Sequence, residues 1–162
     1  MVESSKVSLP PFQRFLEVNR ISVYRFLVAS VGPVDADDCF QETFMSALRS
    51  YARVEDPERL DRWVLKIASR KAIDHHRAAG KRPAPVAETP ERAIRTELEP
   101  FDADEPLWRA VRSLPPRQRV AVVHRHAFDR SYAVVAALMG STEATARANV
   151  HQGMKKLKEL MG

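Results

Sequence analysis

A chain of 162 residues with a net charge of +5 has room for one domain or two small ones, and each half then sits near the lower limit for a self-sufficient core. A single cysteine, Cys39, excludes an internal disulfide framework or a cysteine-based zinc cluster and fits a reducing compartment. No run approaches the roughly 20 apolar residues that cross a bilayer, and the N-terminus lacks the apolar stretch of a signal peptide, so the chain is expected to be cytoplasmic without membrane insertion.

Residues 11–32 repeat apolar side chains at Phe12, Phe15, Leu16, Val23, Phe26 and Leu27, the spacing of one stripe on an amphipathic helix that Gly32 and Pro33 end. Asp35 is placed to cap a second helix, with Asp37 and Asp38 in the first turn where the helix dipole favours acids. Phe40, Phe44, Ala47, Leu48 and Tyr51 continue its apolar face. Residues 57–80 spell a third helix, with Pro57 near its first position, Gly80 past its end, and Leu60, Trp63, Val64, Ile67, Ala68 and Ile73 inward. By that spacing Trp63 is a core residue rather than a base-stacking one.

Residues 81–106 hold five prolines and few apolar residues, too sparse for a packed core. Beyond them, residues 107–114, 116–128, 131–140 and 142–160 read as four helices. Gly140 lies four residues after Ala136 and six before Ala146, a spacing that lets two helices cross steeply as in a helix-turn-helix. The expected fold is all-α: a three-helix domain over residues 1–83, a flexible acidic linker over 84–106, and a four-helix helix-turn-helix domain over 107–162.

Charge follows the same division. Residues 1–83 carry 14 Lys and Arg against 11 Asp and Glu, residues 84–106 carry 2 against 7, and residues 107–162 carry 10 against 3. In the first block the cations gather late, where Arg62, Lys66, Arg70, Lys71, Arg77, Lys81 and Arg82 face only Asp74 as an acid. In the last helix Arg147, Lys155, Lys156 and Lys158 face only Glu143 and Glu159. Basic residues clustered along one element are the footprint of phosphate binding, because each neutralised phosphate releases counterions. Catalytic chemistry finds no support: there is no phosphate-cradling glycine loop, no His-Glu-x-x-His and no nucleophile elbow. The His75–His76 and His124–His126 pairs have spacings that do not put both rings on one helix face, so no metal or cofactor is expected.

The runs DADDCFQETFMSAL, WVLKIASRKAIDHHR and LPPRQRVAVVHRHAFDRSYAVVAALMGSTEATARANVHQGMKKLKEL, in that order, resemble a bacterial RNA polymerase sigma factor of the extracytoplasmic-function type. The likeness spans both helical blocks and implies sigma regions two and four. It implies that Asp38, Gln41 and Glu42 dock on core RNA polymerase, an acidic and amide-bearing face offering acceptors to basic partner residues. It implies further that promoter DNA at the minus-ten element is held by Lys66, Arg70, Lys71, Arg77 and Arg82, with residues 51–60 forming a pocket for an extruded base. The minus-thirty-five element would be read by Thr145, Arg147, Ala148, Asn149, His151, Gln152 and Lys155. An anti-sigma factor that clamps the two domains is a further implied partner, and the acidic linker would thread a basic channel of the polymerase.

Departures from the family pattern touch specificity. Arg70 and Lys71 precede Ala72, Ile73 and Asp74 where an Asn is common, and Ala133 and Val134 replace an acidic pair. Asn149 and Gln152 suit adenine edges, whereas Arg147 suits guanine. A DNA-binding regulator or sigma-like decoy that does not initiate transcription is the alternative reading.

Overall fold

The computed structural model describes residues 8–75 and 105–162. Arg77, Arg82, the boundary at residue 83 and the acidic linker up to residue 104 lie outside the described residues.

Helix α1 (Phe12–Val31) buries Phe15, Val23, Phe26 and Leu27, as its spacing predicts. It ends at Gly32, whose φ of +90° is a conformation that favours glycine; the Gly32 amide donates to the Val28 carbonyl. Helix α2 (Pro33–Ser50) begins at once, with proline in its first turn. Pro33 has no amide hydrogen to leave unsatisfied and its φ is preset for a helix. Asp35 is therefore not the cap. It sits inside the first turn, buried, with its carboxylate 3.4 Å from Nε2 of His75. Leu48 also departs from the expected apolar face: it is 58% exposed.

Two 3-10 turns, Tyr51–Arg53 and Pro57–Arg59, carry the chain into α3 (Leu60–His75). The Asp56 side chain accepts from the Glu58 amide and caps the second turn, so Pro57 opens a 3-10 turn and the α-helix proper starts at Leu60. Trp63 is half-buried in an aromatic cluster, its ring centroid 5.7 Å from Phe15 and 6.2 Å from Tyr51.

The C-terminal half contains α4 (Pro106–Arg112), α5 (Pro116–Val122) running into a π turn (Val123–Ala127), α6 (Tyr132–Met139) and α7 (Glu143–Met161). Gly140 closes α6 in the left-handed region at φ +63°, the usual glycine C-terminal cap. Thr142 caps α7, its hydroxyl accepting from the Thr145 amide at 3.1 Å. Ala136 and Ala146 are buried on either side of this turn, which makes α6 and α7 a helix-turn-helix. Gly153 lets α7 approach α5 closely: a Cβ there would lie 2.6 Å from Cγ2 of Val122.

The halves do not stand apart. Helix α1 packs on α4 and the π turn, while α3 packs on α5 and α6, so the buried apolar residues of both halves form one cluster. The distribution of charge along the chain carries no trace of this contact. Among the described residues, no helix is long and apolar enough to cross a membrane.

Candidate nucleic-acid interface

On α2, one helical face carries the residues expected to meet the polymerase. Asp38, Gln41 and Glu42 are all exposed, whereas their acidic neighbours are engaged: Asp37 accepts from the Tyr24 hydroxyl at 2.7 Å and Asp35 faces His75. The same outward stripe continues into Val34, Met45 and Leu48, each more than half exposed. These positions are spaced by three and four residues, so they share a face with Asp38 and Gln41. Sequence reasoning missed them; the only available signal was that Leu48 and Met45 fall on the same helical phase as Gln41.

On α3, Lys66 and Arg70 are four residues apart and exposed on one face. Lys71 is half-buried and turned about a quarter of the helix away from Arg70, so the structure groups two of the expected minus-ten cations and not the third. Two clefts flank this face. One, of about 520 Å³, runs past Asp56, Arg59, Trp63 and Lys66, and the other, of about 360 Å³, past Lys66, Arg70, Asp74 and Arg117. Both are walled on the far side by Leu138 of α6. Trp63 thus serves the core with one side of its ring system and lines a cleft with the other.

On α7, Thr145, Ala148, His151, Gln152 and Lys155 are exposed together, opposite the buried side made by Ala146, Val150, Gly153 and Leu157. Arg147 and half-buried Asn149 sit at the two edges of that outer face. Arg147 is held: its guanidinium lies 4.4 Å from the Tyr132 ring centre and 3.3 Å from the Glu143 carboxylate. Gln152 accepts from the Gln118 side chain at 3.2 Å, which orients its amide.

Between the halves lies a buried polar chain. The Ser69 hydroxyl donates to the Leu65 carbonyl at 2.7 Å, leaving its lone pairs to accept from Nε2 of His124 at 2.8 Å. Nδ1 of His124 then accepts from Arg130 at 3.0 Å. These partners assign the tautomer and leave the ring neutral. Burial, with Arg130 adding to it, holds the imidazole well below its usual value of 6.5. The ring stacks on Phe26 of α1, centroids 4.4 Å apart and nearly parallel. Among the described residues of the two histidine pairs, His124 is enclosed, His75 is half-buried and His126 is exposed. Among the described residues, no group of three or more His, Cys, Asp or Glu is placed to hold a metal.

Comparison with known proteins decides the family. The model for sigma-70 region 2 matches residues 15–82 and that for sigma-70 region 4 matches residues 104–157. The RNA polymerase sigma factor CarQ of Myxococcus xanthus is 34% identical over 134 residues, covering 78% of this chain and 75% of CarQ. The ECF sigma factor SigD of Mycobacterium tuberculosis is 33% identical over 156 residues, covering 89% of this chain and 74% of SigD. The chain belongs to the ECF RNA polymerase sigma factors. As such it is a transcription initiation factor that directs RNA polymerase to promoters. The fold agrees with that of the Bartonella quintana sigma factor RpoE, solved with the anti-sigma factor NepR, at a TM-score of 0.67 and 22% identity over 93% of this chain and 96% of that one.

Proposed function

We propose that this sigma factor docks on core polymerase through Asp38, Gln41 and Glu42, holds the minus-ten element along Lys66, Arg70 and Lys71, and reads the minus-thirty-five element with Thr145, Arg147, Ala148, Asn149, His151, Gln152 and Lys155. Arg77 and Arg82 extend the minus-ten set by sequence. The observation that supports this reading best is the sorting of side chains on α7. One face fills the core, and the opposite face exposes an amide, an imidazole and an ammonium group to solvent. A helix that enters the major groove presents such a face, with short side chains admitting the base edges and Lys155 meeting phosphate.

On α2 the free acceptors of Asp38, Gln41 and Glu42 suit a basic helix of a partner, and the apolar flank of Val34, Met45 and Leu48 adds burial to charge pairing. The seven acids of residues 84–106, Glu88, Glu91, Glu97, Glu99, Asp102, Asp104 and Glu105, supply a strand of negative charge for a basic channel. Neutralising them weakens initiation on this reading. An anti-sigma factor is a partner by analogy with RpoE and NepR, and with CnrH, which was solved with the cytosolic domain of CnrY.

Selection of DNA bound by the holoenzyme reconstituted from this chain and core polymerase tests the reading, followed by run-off transcription from the selected sequence. Two conserved blocks separated by nearly two duplex turns are expected. A chain that binds duplex DNA alone but never enters the polymerase complex would instead be a regulator or decoy.

A further inference from the structure

We propose that Gln118 of α5, which lies outside the helix-turn-helix, is a specificity-determining positioning residue: it holds the amide of Gln152 in the orientation that pairs with adenine in the minus-thirty-five element and so disfavours guanine at that base. This rests on the reading of α7 made above.

Packing brings the two glutamines together. They are 34 positions apart in the chain, and Gly153, the residue after Gln152, sets where they meet. A Cβ at Gly153 would lie 3.4 Å from the Gln118 carbonyl oxygen and 3.5 Å from the Gln118 Cβ, so the bare backbone of α7 rests directly against α5 at Gln118. Pro115 and Pro116 open α5, and with φ preset at both residues that helix start has little freedom to shift. Gln118 is half-buried while Gln152 is exposed. One glutamine is thereby anchored in the scaffold and the other stands on the reading face. Nε2 of Gln118 donates to Oε1 of Gln152 at 3.2 Å.

That bond changes what Gln152 offers to a base. A glutamine amide turns about its last torsion with little preference, so an unheld one presents its carbonyl or its NH2 group as the partner requires. With Gln118 donating to it, the Gln152 carbonyl keeps one lone pair and its NH2 group keeps both hydrogens, in a fixed order side by side. Adenine shows N7 as an acceptor and N6 as a donor on its major-groove edge, which matches that pair bidentately. Guanine shows two acceptors, N7 and O6, so the held carbonyl meets O6 with no hydrogen between them. An unheld amide escapes this clash by turning its NH2 group alone toward guanine. Holding the side chain also removes rotamer freedom before DNA arrives, so less is lost on binding.

The test uses holoenzyme reconstituted from the full chain and core polymerase, bound to the selected promoter with each of the four base pairs placed in turn at every position of the minus-thirty-five block. Gln152→Ala identifies the position that Gln152 reads, as the one whose preference it abolishes. There, wild type is expected to favour adenine over guanine by at least about tenfold. Gln118→Met, which keeps the length of the side chain and removes the donor, should reduce that ratio to within about threefold while preferences at the other positions and the melting temperature stay as in wild type. Gln118→Ala should do the same if methionine disturbs α5. In the Gln152→Ala background neither substitution should have a further effect, because the coupling runs through that amide. A wild-type preference for another base at this position overturns the proposal, as does an adenine preference that survives Gln118→Met and Gln118→Ala, or a loss of affinity for all sequences alike. If Gln152→Ala alters no position while Asn149→Ala does, the proposal fails and the reading by α7 stands. If neither alters any position, both fail together.

Discussion

Two helices of this chain carry the cations proposed to face DNA, and the structure treats them differently. The outer face of α7 is exposed, with only the Gln118 side chain bonded to Gln152 among the described contacts there, whereas the corresponding side of α3 faces α6 across two clefts. Both helices are amphipathic and basic, so the contrast does not come from their composition. It comes from where each helix sits: α7 packs inside its own half against α5 and α6, while α3 lies where the halves meet. A helix at the edge of a fold keeps its outer face by default; a helix at a seam keeps it only when the seam is open.

The largest effect should come from removing the docking proposed for α2. Asp38→Arg together with Gln41→Arg reverses charge on an exposed face, so the fold survives while affinity for core polymerase falls by about a hundredfold, roughly 3 kcal/mol. Pull-down with core enzyme and circular dichroism check the two halves of that statement, and retained core binding would sink the docking assignment.

Next in size, Gly153→Ala attacks α7 without touching α3. The added methyl meets Val122 at 2.6 Å, and a β-branched neighbour has few rotamers to yield with. Destabilisation of about 1–3 kcal/mol is expected from overpacking, read by thermal or urea denaturation. An unchanged midpoint would show that α5 and α7 can separate freely.

Acid should act on the seam selectively. Because His124 is held neutral below its usual 6.5, the open or unfolded chain takes up a proton that the closed chain refuses. Closure is therefore fully present above about pH 6.5 and weakens as pH falls below it, by about 1.4 kcal/mol per pH unit down to the folded-state value. The groups around the ring are Ser69 from α3, Phe26 from α1 and Arg130, whose own charge interacts with Asp61. Only Arg130 is charged against the ring itself, and a second cation there adds to the penalty. Urea denaturation midpoints should fall between about pH 7.5 and 5.5 in wild type and fall less in His124→Ala.

The smallest effect separates the two faces most cleanly. In the free chain, Lys155→Ala should lower the salt slope of duplex binding by about 1, and Lys66→Ala should leave it unchanged. In the holoenzyme both substitutions should count. Equal slopes for the two variants in the free chain would erase the distinction between an open α7 and a walled α3.

Much of this was legible in the sequence because the signals are local. Apolar residues three and four apart marked the buried sides of α1 and α3, and Gly140 between two small residues marked the turn of the helix-turn-helix. The misplacements are equally physical. Asp35 was read as a cap because acids favour that position, but Gly32 and Pro33 already supply a turn and a helix start, which moves Asp35 inward to His75. Leu48 was read as core because it is apolar, although its helical phase follows Gln41 and Met45 to the outside. His124 was dismissed as a metal ligand, and nothing in its neighbourhood of the chain showed that it would be enclosed.

The amino-acid sequence by itself determined the helices, the helix-turn-helix and the sigma-factor family, since periodicity, capping and motif order all act over a few turns of chain. Tertiary structure alone decided which basic face is uncovered. That outcome rests on Ser69 meeting His124 across 55 positions of sequence and on Phe26 stacking on the same ring. Such contacts depend on the shapes of two assembled halves, and no local pattern encodes the fit of one to the other.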